Sequence, residues 1–494
     1  MISLALRFVE YVLRGYGQLF LCNNGVSGLV FFAGLTIASP RHGLLSLLGA
    51  AIVTGLGLCL APSASTLKSG LFGVNGVLLG YVWIFFPEVG FPAQAVATVG
   101  GAVLASFLLI LGLEACRRWK RPFTLFTIPY VVATWISLLV LAFRGDYDLR
   151  MFAGWSSLAA NQPERARADF TASQVSTPHA RAYRCDGLAW AAFRQSDFIG
   201  AREWFEQAAA HDATFADPHD GLGWCAYYMG DYQGAESEFH EAHARDPRLA
   251  DSWIGLGLLA EFHGDAEAAR IWFTDAAWSA PMSSEAYASL QRHYAATSQN
   301  ELADFYHRLA TFSKDSIAGR YQYVSLPQLV CWLLFFAGVI WHSRISALLV
   351  LAALATCFCG ARLVPSLNAT FADIHFVYNL IAIFIACGGL YLRLNRITGV
   401  WLFAVTMLMA IVWHVLSGIV PGIGLPLLCL PLNLALAGTV ALGGRLKDRF
   451  PANQAIPLEL AVTSPEQVRL WLKKCKIADR CWQRMATFYH EAAK

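Results

Sequence analysis

Apolar segments close to bilayer length fill both ends of this 494-residue chain, and a strongly acidic block separates them. That alternation constrains the fold more than any other feature. The first set lies at about 26–40, 43–61, 70–86, 92–115 and 124–143, and the second at about 328–341, 345–360, 376–391, 398–418 and 424–442. Most approach the roughly 20 residues a helix needs to cross a bilayer. Residues 2–22 read as a further, more polar span. Between the two sets, residues 146–315 hold 25 acidic and 13 basic side chains, a net −12, against +15 for the remainder. A chain that is 56% hydrophobic and 14% charged, with mean hydropathy +0.46, is therefore a membrane protein with a soluble domain set into it.

The two apolar sets are related. The stretch RGYGQLFLCNNGVSGLVFFAG, Arg14 to Gly34, returns 304 residues later as GRYQYVSLPQLVCWLLFFAG, Gly319 to Gly338. The same offset pairs Gln18 with Gln322, Phe31 with Phe335, Gly34 with Gly338, Ser39 with Ser343 and Asn75 with Asn379. An odd number of spans in each copy places the second in inverted orientation. Basic clusters at Arg117, Arg118, Lys120 and Arg121, at Arg393 and Arg396, and at Arg445, Lys447 and Arg449 belong inside by the positive-inside rule. On that count the acidic block faces the extracytoplasmic side. The stretch 305–326, with Arg308, Lys314, Asp315 and Arg320, reads poorly as a span, and without that crossing the block would lie inside.

The acidic block has a period of its own. Ala201, Ala235 and Ala269 are 34 apart, as are Phe205, Phe239 and Phe273, and Ala208, Ala242 and Ala276. Leu188, Leu222 and Leu256 precede them, and Pro247 and Pro281 close two units. This pattern looks like the tetratricopeptide repeat, and about five helix pairs would stack into an α-solenoid with a concave binding face. Trp155, Trp190, Trp224, Trp253, Trp272 and Trp278 read as packing residues.

Two polar features stand out in the apolar part. GLFGVNGVLLG, Gly70 to Gly80, has four glycines around Asn75, which suits a re-entrant or broken helix lining a cavity. Arg7, Glu10 and Arg14 share one helix face, either self-paired or lining a polar path. The remaining chemistry is sparse. Twelve cysteines show no framework spacing, and Asp373, His375, His342 and His414 have no nucleophile or metal-ligand spacing around them. The chain does not read as an enzyme, calls for no cofactor or metal, and its acidic domain argues against nucleic acid. No cleavage-site pattern follows the first apolar stretch, which is expected to remain in the mature protein.

With these residues in view, the membrane part resembles the urea transporter family. LRGYGQLFLCNNGVSGLVFFAG, Leu13 to Gly34, is similar to that family's first-half signature, GLFGVNGVLLG to its pore-helix motif, and IPYVVATW, Ile128 to Trp135, to its motif on the last span of a half. The second half keeps Gln322, the FFAG at 335–338, HFVYNLIAIFIACGG at 375–389 and LPLLCLPLNLA at 425–435. The resemblance implies two inverted halves around a narrow pore, homotrimers and passive urea conduction. Gln18, Leu78 and Thr134 match its pore positions, and Leu19 stands in for a valine. Leu21, Val74, Ser325 and Tyr378 fall where the family has solute-sandwiching phenylalanines. Asn75, Asn379, Gln322 and Tyr323 complete the expected pore set.

The expected fold is thus all-α and polytopic: two inverted repeats of about five spans plus a re-entrant pore helix each, with the solenoid inserted. The expected domains are a first half at 1–144, the repeats at 145–315, a second half at 316–445 and a basic cytoplasmic tail at 446–494. Two functions follow. One is passive transport of urea or a similar small neutral amide across the plasma membrane, the inner membrane if the source is bacterial, with repeats that dock a protein partner or gate access. The other is a membrane scaffold derived from a transporter, which recruits protein partners through its repeats.

Overall fold

A computed structural model of the chain describes residues 2–60, 67–119, 127–281, 283–315, 325–364, 370, 374–386, 396–419 and 428–434. The described residues form helices and turns, with no strand among them. Gln322, Tyr323 and the 446–494 tail lie outside the described residues.

The chain opens with a helix at Ile2–Gly17 and a 3-10 turn at Gln18–Phe20. Leu21 then takes a left-handed conformation, φ 57°, and the helix that follows, Gly25–Ala38, departs at 75°. Asn24 explains part of the amide-rich sequence here. Its side chain caps the new helix by accepting from Val26 N at 2.7 Å. Residues 2–22 and 26–40, expected as two separate spans, are therefore the two limbs of one sharply bent pair. Arg14 on the first limb bonds Glu10 at 2.6 Å and Lys68 O at 3.1 Å, so that face is self-paired.

Three described helices are long and apolar enough to cross a membrane: Pro40–Leu60, Phe91–Ala115 and Ser346–Leu363. The Leu71–Tyr81 helix has 11 residues and is carried only to Phe85 by a 3-10 turn, short of a full crossing. Its glycines explain the motif. A Cβ on Gly73 would lie 2.8 Å from Gly15 Cα, one on Gly76 would strike the Gly49 carbonyl, and one on Gly80 would strike the Leu45 carbonyl. Spaced three and four apart, they let one short helix lie against the backbones of the Ile2–Gly17 and Pro40–Leu60 helices.

After Ile128–Arg144 the chain turns at Gly145, φ 74°, into ten helices between Leu149 and Asp315. Each packs on its neighbours in sequence, and alternate helices also touch, as Pro178–Arg194 does with Asp217–Met229. The residues that carry the 34-residue period are the buried ones: the three alanine–phenylalanine–alanine sets are all fully inaccessible. Gly221 lies on Phe205, and Gly223 and Gly255 lie on Phe239, where any larger side chain would displace the ring. Asp197, Asp231 and Asp265, also 34 apart, cap the second helix of successive pairs by accepting from Gly200, Gly234 and Ala268 N–H at 2.9–3.0 Å. Trp278 departs from the packing role expected of it and is 65% exposed.

The second apolar part supplies helices at Leu326–His342, Arg344–Leu363, Ile374–Ile385 and Arg396–Ile419. Its first helix lies along Gly25–Ala38 of the first half. Ser27 Oγ donates to Gly338 O at 2.9 Å across that contact. Ser39 and Ser343 end these two helices in the same extended conformation, φ −155° and −159°.

Candidate functional site

The bend after Gly17 delivers Gln18, Leu19 and Leu21 to the seam between the two apolar parts. All three are buried. Gln18 Nε2 donates to Ser69 O at 2.5 Å, which ties the bend to the start of the short glycine-rich helix. Leu21 N–H donates back to Gln18 O at 3.1 Å. Tyr378, on Ile374–Ile385, reaches across the seam, and its hydroxyl donates to Leu19 O at 2.9 Å. Phe20 fills the space between, with ring centroids 5.5 Å from Phe31, 5.2 Å from Phe335 and 5.7 Å from Tyr378.

Asn75 sits on the buried glycine-rich helix with both ends of its amide in use. Nδ2 donates to Leu71 O at 2.9 Å, and Oδ1 accepts from Tyr130 N at 3.0 Å. Tyr130 lies in the first turn of Ile128–Arg144, where N–H groups have no partner within their own helix. Asn75 therefore braces one helix against the start of another. Asn379, its counterpart 304 residues on, does a similar thing: Nδ2 donates to Leu428 O at 3.1 Å, at the start of the 428–434 segment. Val74 is buried beside Asn75, and Leu78 is half-buried one turn on. Ser325 forms a capping box with Gln328 at the start of Leu326–His342.

Two hydroxyls in the first half are fully buried without a hydrogen-bond partner among the described residues: Thr134 Oγ1 and Thr54 Oγ1. A buried polar group with no partner costs about 1–3 kcal/mol, so each is a position that calls for a partner beyond the described residues. Thr134 was legible in the sequence, on the IPYVVATW motif; Thr54 was not, in a run of apolar and small residues. Also unseen was a lock between the halves. Asn433 Nδ2 donates to Thr127 Oγ1 at 2.8 Å, and Thr127 N donates to Asn433 Oδ1 at 3.3 Å. An asparagine inside the apolar LPLNLA was the available signal.

Among the described residues no group of His, Cys, Asp and Glu is arranged to hold a metal ion. The site consists of amides, hydroxyls, a phenol and backbone carbonyls in an aromatic and aliphatic wall. Such a set can exchange hydrogen bonds with a neutral polar solute.

A model of the urea transporter family matches residues 9–178 and 272–444, more than half of the chain. Urea transporter 1 of Rattus norvegicus is 28% identical over 153 residues, which cover 29% of this chain and 36% of that protein. Urea transporter 1 of Capra hircus is 28% identical over 151 residues, covering 29% and 37%. The chain thus matches little more than a third of the length of these curated relatives. Among solved structures, the crystal structure of MamA protein matches 34% of this chain at 18% identity, covering 92% of that chain with a TM-score of 0.26. The family is one of transporters and not of enzymes, and this chain belongs to the urea transporter family.

Proposed function

We propose that the protein is a passive, channel-type conductor of urea or a similar small neutral amide. The observation that carries this reading is the Thr134 hydroxyl, buried in the first half without a hydrogen-bond partner among the described residues, in a chain of this family. A flat diamide needs donors and acceptors at intervals and apolar walls elsewhere. Gln18, Asn75, Thr134 and Asn379 provide the polar positions, and Leu19, Leu21, Val74 and Leu78 the walls. Gln322 and Tyr323 belong to the same path by their place in the repeat. The short Leu71–Tyr81 helix is the re-entrant pore helix of the first half, and Ile374–Ile385 that of the second. Helices 149–315 form a tetratricopeptide-like solenoid between the halves, on the extracytoplasmic side, where it docks a protein or governs access. The working form is a homotrimer in the plasma membrane, the inner membrane in a bacterium, with the basic tail at 446–494 in the cytoplasm.

A second reading, a scaffold that has lost conduction, is favoured by one contact. The Tyr378 hydroxyl donates to Leu19 O across the seam, and on this reading that bond closes the path. Urea uptake by proteoliposomes carrying wild type and Tyr378→Phe separates the two. Conduction by wild type, raised by Tyr378→Phe, supports the transporter. No conduction by either supports the scaffold.

A further inference from the structure

Among the described residues, the acidic block meets the membrane part at the loop that follows the glycine-rich helix. The glycine-rich helix ends at Tyr81, continues as the 3-10 turn Val82–Phe85, and returns through the loop 86–90 into Phe91–Trp119. The membrane part ties one side of this loop. Trp83 Nε1 donates to Thr98 Oγ1 at 2.9 Å, and Gln94 Nε2 donates to Val89 O at 2.8 Å.

The block holds the other side. His179, in the first turn of Pro178–Arg194, places Nε2 2.9 Å from Pro87 O and Nδ1 2.6 Å from Asp212 Oδ2. Both partners only accept, so the two ring nitrogens must both donate to make both bonds. Behind His179 stands Tyr183, ring centroids 5.1 Å apart, itself stacked on Phe215 at 4.3 Å. Phe86 adds an apolar contact, edge-on to Tyr147 at 5.7 Å. Glu88, on the same loop, is buried, 3% exposed, and near enough to Tyr147 and Tyr183 for its charge to act on them. The loop is therefore covered by residues drawn from the start of the block and from its second helix pair.

We propose that the block governs the pore through this loop, with His179 as a latch that fixes the end of the Leu71–Tyr81 helix. The inference rests on the pore reading above and names the contact through which control passes. The helix that carries Val74, Asn75 and Leu78 is short and packed through glycines, which interdigitate no side chains at those crossings. Along its length it is held by those backbone crossings and by Asn75 on Tyr130 N, and it is tied at both ends as well. Gln18 and Ser69 fix the first end, and the loop fixes the second. A ligand or partner that shifts the block's second helix pair moves His179, and the pull on Pro87 passes directly into the helix.

Hydrogen exchange and urea flux on the full chain in lipid test this, comparing wild type, His179→Ala and Trp278→Ala. Trp278 is exposed and lies far along the block, so its variant serves as the control. Expected for His179→Ala is exchange faster by about ten-fold at Glu88–Gly90 and through 71–85, with helices beyond residue 198 still protected. The urea rate changes about three-fold or more in the same variant, and Trp278→Ala matches wild type. Unchanged exchange in the loop overturns the latch. So does a freed loop with an unchanged helix and rate. If wild type conducts no urea, the transport reading fails by itself, and exchange within 71–85 alone decides whether the latch exists. Should His179→Ala unfold the block, His179→Gln, which keeps one donor, replaces it.

Discussion

Phe31 and Phe335, 304 residues apart, meet edge to face with ring centroids 5.2 Å apart and planes at 69°. Each ring also covers the glycine that closes the other's FFAG: Phe31 lies on Gly338, and Phe335 Cε1 is 3.3 Å from where a Gly34 Cβ would be. The contact is reciprocal, as a two-fold relation between the halves requires. It joins Gly25–Ala38 to Leu326–His342 around the same Phe20 ring that reaches Tyr378.

The contact is reciprocal but unequal, and the glycines should report it. A Cβ on Gly338 runs into the Phe31 ring, which is fully buried and has nowhere to go. Gly338→Ala is expected to cost roughly 1–3 kcal/mol by overpacking, and Gly34→Ala under about 1 kcal/mol. Thermal unfolding of the two purified variants checks the order. Equal losses would mean that the halves yield equally.

Asn75 braces Tyr130, and its removal should be felt as lost stability. Asn75→Leu leaves the Tyr130 N–H without the acceptor it has in wild type, at a cost of roughly 1–3 kcal/mol. Unfolding temperature in detergent should fall for Asn75→Leu. No fall would show that Asn75 is a lining residue without a bracing role.

The acidic block should weaken as pH rises through neutrality. Asp186 and Asp220 are fully buried, and burial pushes their carboxyls well above the usual range. Burial, with Asp217 and Glu285 nearby, lifts Asp251 to about 7. A carboxyl whose folded value lies above its unfolded value favours the fold in its neutral form. That contribution is complete below the unfolded value near 4 and is lost as pH climbs through the folded one. The block's unfolding temperature is expected to fall on the order of 5 °C between pH 6 and pH 8.5, and Asp251→Asn to reduce the fall. A melting temperature that rises over this interval contradicts the assignment.

Much of this architecture could be read from the chain because the signals were periodic. The 34-residue alanine and phenylalanine positions are the residues that pack against neighbouring helices, and the 304-residue offset picks out Phe31, Gly34, Phe335 and Gly338, which touch. The rest turns on which atom an amide faces, and no spacing encodes that. Asn75 and Gln18 read as polar positions, and that their amides meet Tyr130, Leu71 and Ser69 could not be read from spacing. Phe20, the ring that joins the halves, carries no mark that sets it apart from the apolar residues beside it. The bend at Leu21 was also hidden, since a left-handed leucine leaves no mark in composition.

Conduction is the central claim, and stopped-flow urea uptake into proteoliposomes tests it most directly, using the full chain, the chain without 150–312, and Gln18→Leu. The account predicts uptake faster than in empty liposomes for the full chain, slowed several-fold by Gln18→Leu, which removes the bond to Ser69 and a polar position of the path. Uptake no faster than in empty liposomes, for the full chain and for the shortened one alike, would contradict it.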